Sequence, residues 1–260
     1  MKRLIAVGAA VALLGCASVS SRMRGDIDGG RFTDAILVGE NHLASQAAED
    51  RADVQKLLIE ARYRRARARD TPEAYRDFLK ANPKSPFESA ARADLARSQY
   101  ETYTSRTDTL EAYEGYLGEF PEGPSADKAR DRAASLAFRK ADALGTRESY
   151  KRYREQYPRH PLASEALRKE KAAAFHAAEQ DGTPEAFLGF SSSYAGTEEA
   201  AAAVQIARRT AWEQATKTDT PEAFVHVAAL FPGPDIASRA ESRADALAWP
   251  EHPHDRLPTV

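Results

Sequence analysis

The stretch at residues 71–108 reads TPEAYRDFLKANPKSPFESAARADLARSQYETYTSRTD, and its main features recur four more times along the chain. Each copy opens with a threonine, followed by a glutamate two residues later and an aromatic residue four residues later. These threonines are Thr71, Thr109, Thr146, Thr183 and Thr220. A second marker, an aromatic residue, keeps the same step of 37 or 38 residues, at Tyr63, Tyr100, Phe138, Phe175, Trp212 and Trp249. Two markers in phase at a period of about 20–50 residues are typical of a repeat array.

Each copy has the pattern of two helices. The opening threonine is a good helix N-cap, and in three copies the next residue is proline, which needs no hydrogen-bond partner there. Tyr75 and Phe78 give the first helix an apolar face, and Asn82 before a proline ends it. The second helix carries small residues in register, at Ala91, Ala129, Ala166, Ala203 and Ala240. We therefore predict an all-α fold, an α-solenoid of five full two-helix repeats.

The array is predicted to occupy residues 45–250. Its first segment, up to Arg69, keeps Tyr63 in phase and predicts a half-repeat that caps the amino end. Tyr103 stands three positions beyond a repeat aromatic, where the other copies carry alanine, and is predicted to mark a local bulge in packing. Residues 251–260 follow Pro250 and contain Pro253, so we predict a disordered tail.

The amino terminus has the pattern of a secretory signal. Lys2 and Arg3 precede an apolar run at residues 4–14, which is too short to span a bilayer permanently. The run ends in Leu13-Leu14-Gly15-Cys16, which resembles the lipobox of bacterial lipoproteins. The resemblance implies a signal peptide at residues 1–15 and lipid, palmitate included, on Cys16. An ordinary signal peptide that contains a cysteine, or an uncleaved anchor, is the alternative.

By the same resemblance, the residue after the lipidated cysteine bears on sorting. Ala17 stands there, with no aspartate of the kind that retains some lipoproteins in the inner membrane. We therefore expect the outer membrane, with the protein facing the periplasm, and surface exposure stays open. Residues 16–44 are predicted to be the lipidated cysteine and a tether, because residues 17 to about 33 lack periodicity and include three glycines.

The repeat phrase at residues 75–91, YRDFLKANPKSPFESAA, resembles tetratricopeptide-like repeats of the longer variety found in periplasmic lipoproteins. It is similar to the phrase of the lipoproteins of outer-membrane β-barrel assembly and of the TolA-binding coordinator of cell division. The resemblance covers roughly residues 45–250, although the step of 37 departs from the usual 34. It implies a lipid-anchored scaffold that binds other envelope proteins.

Composition limits the other functions. A formal net charge of −2 gives no field that points to nucleic acid, and one cysteine excludes an intramolecular disulfide or a multi-cysteine zinc site. The chain shows no phosphate-binding glycine loop and no nucleophile elbow. We expect that the protein is not an enzyme and that it carries no cofactor other than the lipid on Cys16.

Two surface features are candidate interaction sites. The first is a run of five arginines, Arg62, Arg64, Arg65, Arg67 and Arg69, and the second is Tyr103. Arginine and tyrosine are favoured as interface anchors, and an arginine patch could also meet anionic head groups. The alternative is a solvated helix face balanced by acidic residues at Glu49, Asp50, Asp53 and Glu60.

Gly39-Glu40-Asn41-His42 follows a strand-like Ala35-Ile36-Leu37-Val38 and resembles a phrase of certain haem-binding or metal-dependent lipoproteins. A short linker strand or turn is the plainer interpretation, and the tail histidines His252 and His254 are not expected to bind metal. The predicted function is a lipid-anchored scaffold for an envelope complex of assembly, secretion, motility or division. Binding of peptidoglycan or polysaccharide is the alternative, and a metal-dependent enzyme using Glu40 and His42 is a third.

Overall fold

The computed structural model of the protein describes residues 18–45 and 50–249, and within these residues the regular structure is helical, with no strand. The chain divides into two compact units between Ala133 and Ala134. In each unit, helices that follow one another in sequence pack in consecutive pairs, as in an α-solenoid. The predicted all-α fold is therefore confirmed at this level.

The helices of the first unit are α1 (Val19–Asp28), α2 (Phe32–Ala44), α3 (Arg51–Arg69), α4 (Pro72–Ala81), α5 (Glu88–Gln99), a π-helical turn (Tyr100–Thr104), α6 (Ser105–Thr107) and α7 (Leu110–Glu119). Helix α8 (Ala126–Leu144) contains the division between the units. The second unit contains α9 (Arg147–Gln156), α10 (Leu162–Asp181), α11 (Pro184–Ser193), α12 (Glu198–Thr218), α13 (Pro221–Leu230) and α14 (Pro234–Ala248).

The five opening threonines are N-caps, as the sequence predicts. Each hydroxyl accepts the backbone N–H three residues later, at 3.1–3.3 Å, in α4, α7, α9, α11 and α13. The residue before each threonine has a left-handed conformation, which ends the preceding helix. These residues are Asp70, Asp108, Gly145, Gly182 and Asp219. Glycine and aspartate tolerate the left-handed conformation better than most residues. Each repeat boundary, a left-handed residue followed by the capping threonine, is therefore encoded locally.

The left-handed aspartates also tie successive helices together. The Asp70 carboxylate accepts a hydrogen bond from the Tyr75 hydroxyl at 2.8 Å and another from the Arg97 guanidinium at 2.5 Å. Asp108 repeats this arrangement with Tyr113 and Arg132. The hydrogen bond from Arg97 is the main cause that lowers the pKa of Asp70. The helix boundary is thus fixed by side-chain contacts as well as by backbone conformation.

The core of each repeat joins alanine and aromatic residues. The five alanines in register, from Ala91 to Ala240, are fully buried. The repeat aromatic packs on the aromatic pair of the following helix; the Phe175 ring, for example, lies 6.1 Å from that of Phe187 and 5.2 Å from that of Phe190, centroid to centroid. Small residues let the helices approach closely, and the rings fill the space beside them.

The predicted tether is wrong for residues 18–44, which form α1 and α2. Both helices pack on α3, and Met23, Ile27 and Ala35 are buried in their shared core. The strand expected at residues 35–38 is also wrong, because those residues lie within α2. Helix α3 therefore has α2 as a packing partner. The amino-terminal segment consists of the pair α2 and α3 with α1 packed on both, instead of a half-repeat.

Gly39 has a packing role in this amino-terminal core. A Cβ atom at Gly39 would lie 2.7 Å from the Met23 terminal methyl and 3.4 Å from a Leu58 methyl. A larger residue would have to displace Met23, which is fully buried between the helices. Gly39 thus lets α1 and α2 approach each other on α3.

The π-helical turn accounts for the one repeat that is 38 residues long. From the repeat aromatic to the next opening threonine the chain advances eight residues in four cases, but nine from Tyr100 to Thr109. The backbone N–H of Ser105 donates to the carbonyl of Tyr100, five residues back, so the helix absorbs one extra residue as a π-bulge. The predicted bulge at Tyr103 is therefore confirmed.

The bulge also shows which residue takes the small-residue position. Counted five residues back from the next opening threonine, that position holds Ala66, Thr104, Ala141, Ala178 and Ala215, all of them buried. Tyr103 is the extra residue, and its side chain is 56% exposed. Among the described residues the buried Thr104 hydroxyl has no hydrogen-bond partner. The series is thus kept by Thr104, and Tyr103 is displaced outward.

Candidate binding grooves between consecutive repeats

A groove lies between α3 and α4 in the first unit. Its volume is about 280 Å³, and its floor is formed by Ala66, Ala74 and Phe78. Charged side chains form its walls, from α3 on one side and from Asp77 of α4 on the other. The two floor alanines leave space between the two helices that larger side chains would fill.

A larger groove lies between α10 and α11 in the second unit. Its volume is about 690 Å³, and Ala178, Ala186 and Phe190 are among its lining residues. The rim carries the small residues Ala177 and Gly189 together with charged side chains, Asp181 from α10 and Arg147 and Glu148 from the start of α9. The groove is thus apolar at its floor and mixed in polarity at its rim.

The two grooves are the same feature in different repeats. Shifting the numbering by 112 residues, the distance from Thr71 to Thr183, converts Ala66 to Ala178 and Phe78 to Phe190. The same shift converts Arg65 to Ala177 and Asp77 to Gly189, so the rims differ while the floors match. The repeat framework therefore forms one kind of groove and varies the side chains around it.

The rim positions vary across all the repeats. Six residues before each opening threonine stand Arg65, Tyr103, Lys140, Ala177 and Gln214. Six residues after it stand Asp77, Gly115, Arg152, Gly189 and His226. All of these are exposed or, for Arg65, half-buried. Variable exposed residues on a constant buried framework are what a binding surface built from repeats requires.

Gly189 has no packing reason to be glycine. It lies inside α11, where glycine costs roughly 0.5–1 kcal/mol relative to alanine. A Cβ atom at this position would meet nothing within 4 Å, in contrast to Gly39. The missing side chain therefore keeps the groove open without serving the core. Sequence reasoning missed this residue, although a glycine inside a helical pattern was a visible signal.

The five predicted arginines do not form one surface. A residue advances about 100° around a helix, so Arg62, Arg65 and Arg69 share one face of α3, and the other two point elsewhere. The first three line the groove between α3 and α4. Arg62 pairs with Glu40 at 2.8 Å and donates to Asn82 at 3.3 Å. The predicted patch is thus corrected to a three-arginine groove wall.

Arg64 and Arg67 have structural contacts of their own. Arg64 pairs with Glu60 at 2.8 Å on the same helix, and the Arg67 guanidinium lies 3.4 Å from Asp94 and 6.0 Å from the Tyr63 ring centre. The Tyr63 hydroxyl also donates to Asp94, at 2.9 Å. Burial first, and then this hydrogen bond, raise the pKa of Tyr63. For Arg64 the alternative of a balanced helix face is the better description, whereas Arg67 contacts Asp94 of α5.

The residues proposed for metal chemistry lie in α2. Glu40 is the ion-pair partner of Arg62, and His42 lies in the last turn of the helix. Within residues 18–45 and 50–249 no group of three histidine, cysteine, aspartate or glutamate side chains is arranged to hold a metal ion. His252 and His254 lie outside the described residues, as does Cys16.

Comparison with known proteins adds no family. No protein-family model matches the chain, and no curated protein matches its sequence. None of the helices in the described part of the chain combines the length and the apolar character needed to cross a membrane.

Proposed function

We propose that the protein is a lipid-anchored scaffold of the bacterial outer membrane, facing the periplasm, that binds segments of other envelope proteins in the grooves between its tetratricopeptide-like repeats. The role is binding rather than catalysis, with covalent lipid on Cys16 as the only added group. The observation that carries the proposal is the recurrence of one groove at α3 with α4 and at α10 with α11, with a constant floor and a variable rim.

A polypeptide suits the larger groove in size and in chemistry. Its volume of about 690 Å³ accommodates several side chains. An apolar floor with a polar rim is the usual arrangement at protein interfaces, where the apolar centre is shielded from water. The floor residues are shared between repeats, so differences between partners fall on the rim residues. Different repeats would then select different segments of one partner or of several.

Filling the larger groove should prevent binding without harming the fold. A Cβ atom at Gly189 would meet nothing within 4 Å, so the tryptophan of Gly189→Trp can start from an unhindered, exposed position, and we expect normal helicity and an unchanged or higher melting temperature. Crosslinking in cells, followed by identification of captured proteins, should show loss of the protein that binds in the groove.

Gly189→Ala should raise the free energy of unfolding by roughly 0.5–1 kcal/mol, because helical glycine is unfavourable.

Gly118→Trp is the matched control for this experiment. Gly118 is also an exposed helical glycine with nothing within 4 Å of its Cβ position, but it belongs to α7. Its variant should keep the crosslinked partner. Equal loss in the two variants, or no loss in Gly189→Trp, would contradict groove binding.

The anchoring is tested separately at Cys16. Cys16→Ala removes the acceptor of the lipid, and each buried methylene contributes about 0.8 kcal/mol to membrane attachment. We expect the variant to leave the outer-membrane fraction and to appear in the soluble periplasmic fraction. A variant that still sediments with the outer membrane in the absence of detergent would rule out the lipid anchor.

A further inference from the structure

The groove between α3 and α4 differs from its counterpart in charge. Arg62, Arg65 and Arg69 line it from α3, and Glu40 and Asp77 are the acidic residues among its lining. Three positive groups against two negative ones leave one excess positive charge. Because Arg62 is paired with Glu40 at 2.8 Å, the excess belongs to Arg65 and Arg69, opposite Asp77.

Arg65 and Arg69 lie one helical turn apart on α3. Like charges at this spacing repel each other and destabilise the helix. Among the described residues neither guanidinium has a carboxylate within ion-pair distance, whereas Arg64 and Arg67 each have one. Two neighbouring arginines on a groove wall are therefore left with their donors available to an incoming acceptor.

The shape of the site selects the kind of acceptor. The arginines border a recess of about 280 Å³ with an apolar floor at Ala66, Ala74 and Phe78. A side chain can enter such a recess, whereas a flat membrane surface makes its widest contact with a convex face. The guanidinium group presents a planar fork of donors that matches a carboxylate in two-point contact.

Asn82 fixes the base of this arrangement. Its side chain is 6% exposed and donates from Nδ2 to the carbonyl of Phe78 at 2.9 Å. Its Oδ1 atom accepts from Arg62 at 3.3 Å, so Arg62 is held by both Glu40 and Asn82. Arg62 is thus occupied, and the two arginines beyond it remain for a ligand.

We propose that the groove between α3 and α4 binds an acidic segment of a partner protein, with glutamate or aspartate carboxylates paired to Arg65 and Arg69. This inference rests on the proposed scaffold function and names the chemistry of one partner segment. Asp77 opposes the incoming carboxylate and limits the affinity.

The test uses the full-length protein in detergent and a fluorescein-labelled peptide of alternating glutamate and leucine. Fluorescence polarisation should show binding that weakens as salt is raised. Arg65→Gln with Arg69→Gln should weaken it by roughly tenfold or more, because the peptide loses charge-assisted hydrogen bonds to both guanidinium groups. Asp77→Asn should tighten it severalfold, because the repelling carboxylate is removed.

The controls are Arg64→Gln with Arg67→Gln, and a peptide of alternating lysine and leucine. The control variant should bind the acidic peptide as the parent does, and the lysine peptide should not bind. Equal weakening by the two arginine pairs, or an Asp77→Asn variant that binds less tightly, would overturn the inference. Binding to vesicles of phosphatidylglycerol that depends on Arg65 and Arg69, without binding of the peptide, would reassign the groove to lipid.

Failure of this inference is distinguishable from failure of the scaffold. If Gly189→Trp removes a crosslinked partner while the Arg65 and Arg69 variants leave peptide binding unchanged, the scaffold stands and the acidic specificity is wrong. Helicity and thermal unfolding of each variant show whether it folds, and Arg69→Gln alone, at an exposed position, provides a single substitution with little risk to the core.

Discussion

Deleting Tyr103 is expected to leave the protein folded, with a free energy of unfolding equal to or greater than that of the parent. The deletion shortens the first full repeat from 38 to 37 residues, so the π-helical turn at Tyr100–Thr104 can close as an ordinary α-helical turn. Thr104 keeps its place in the core, because it already stands five residues before Thr109. The removed side chain is mostly exposed and contributes little to packing.

The matched deletion is that of Ala177, which stands six residues before Thr183 just as Tyr103 stands six before Thr109. Ala177 is also exposed, but α10 has no π-bulge to absorb the loss. Deletion would rotate one part of the helix by about 100° against the other and expose its buried alanines. We expect a loss of about 3 kcal/mol or more, comparable to severe core substitutions.

Chemical denaturation of the two deletion variants measures both effects. Circular dichroism should show a transition for the Tyr103 deletion at or above the parent midpoint, and a much earlier one for the Ala177 deletion. Similar large losses in both variants would show that the extra residue is required by the packing of the first repeat.

Arg154→Ala is expected to destabilise the protein by about 3–5 kcal/mol, because it leaves a buried carboxylate without its counter-charge. Glu170 is 3% exposed and accepts a hydrogen bond from Arg154 at 2.7 Å and another from the Tyr194 hydroxyl at 3.1 Å. This contact joins α9, α10 and the end of α11. It is the most deeply buried ion pair among the described residues.

Arg64→Ala is the control for that experiment. It removes the pair of Arg64 with Glu60 on one exposed helix face, which is worth about 0.3–0.5 kcal/mol. Urea unfolding should separate the two variants clearly. Replacing both members of the buried pair, with Arg154→Leu and Glu170→Met, should recover much of the loss, because no isolated charge remains. An Arg154→Ala variant as stable as Arg64→Ala would contradict this account.

The repeat boundaries could be predicted from the sequence because they depend on local chemistry. A threonine cap such as Thr146 acts within one turn, and its partner is three residues away along the chain. The extra residue near Tyr103 was visible for the same reason, as an interruption of a constant step. Local signals of this kind do not depend on distant parts of the chain.

The amino-terminal helices could not be predicted in the same way. Gly25, Gly29 and Gly30 suggested a tether, and the stability of α1 and α2 comes from packing on α3. Met23 packs directly against Gly39, where a Cβ atom would lie 2.7 Å from its terminal methyl. Tertiary contacts of this kind override weak local propensity, and a single sequence does not show them.

The candidate site was predicted in part. The arginine run named Arg65 and Arg69, but it also included Arg64 and Arg67, which the helical rotation places on another face. The larger groove depends on side chains that are absent, at Ala177 and Gly189. A run of charged letters attracts attention in a sequence, whereas open space appears only when the helices are packed together.

The most direct test of groove binding is photo-crosslinking in living cells from a benzophenone amino acid placed at Ala177, on the rim of the larger groove. The same amino acid at Gln205, exposed on α12 and outside the lining of that groove, serves as the control. We predict a discrete crosslinked protein from position 177, none from position 205, and disappearance of the product in the Gly189→Trp background. Equal crosslinking from both positions, or a product that persists with Gly189→Trp, would contradict the account.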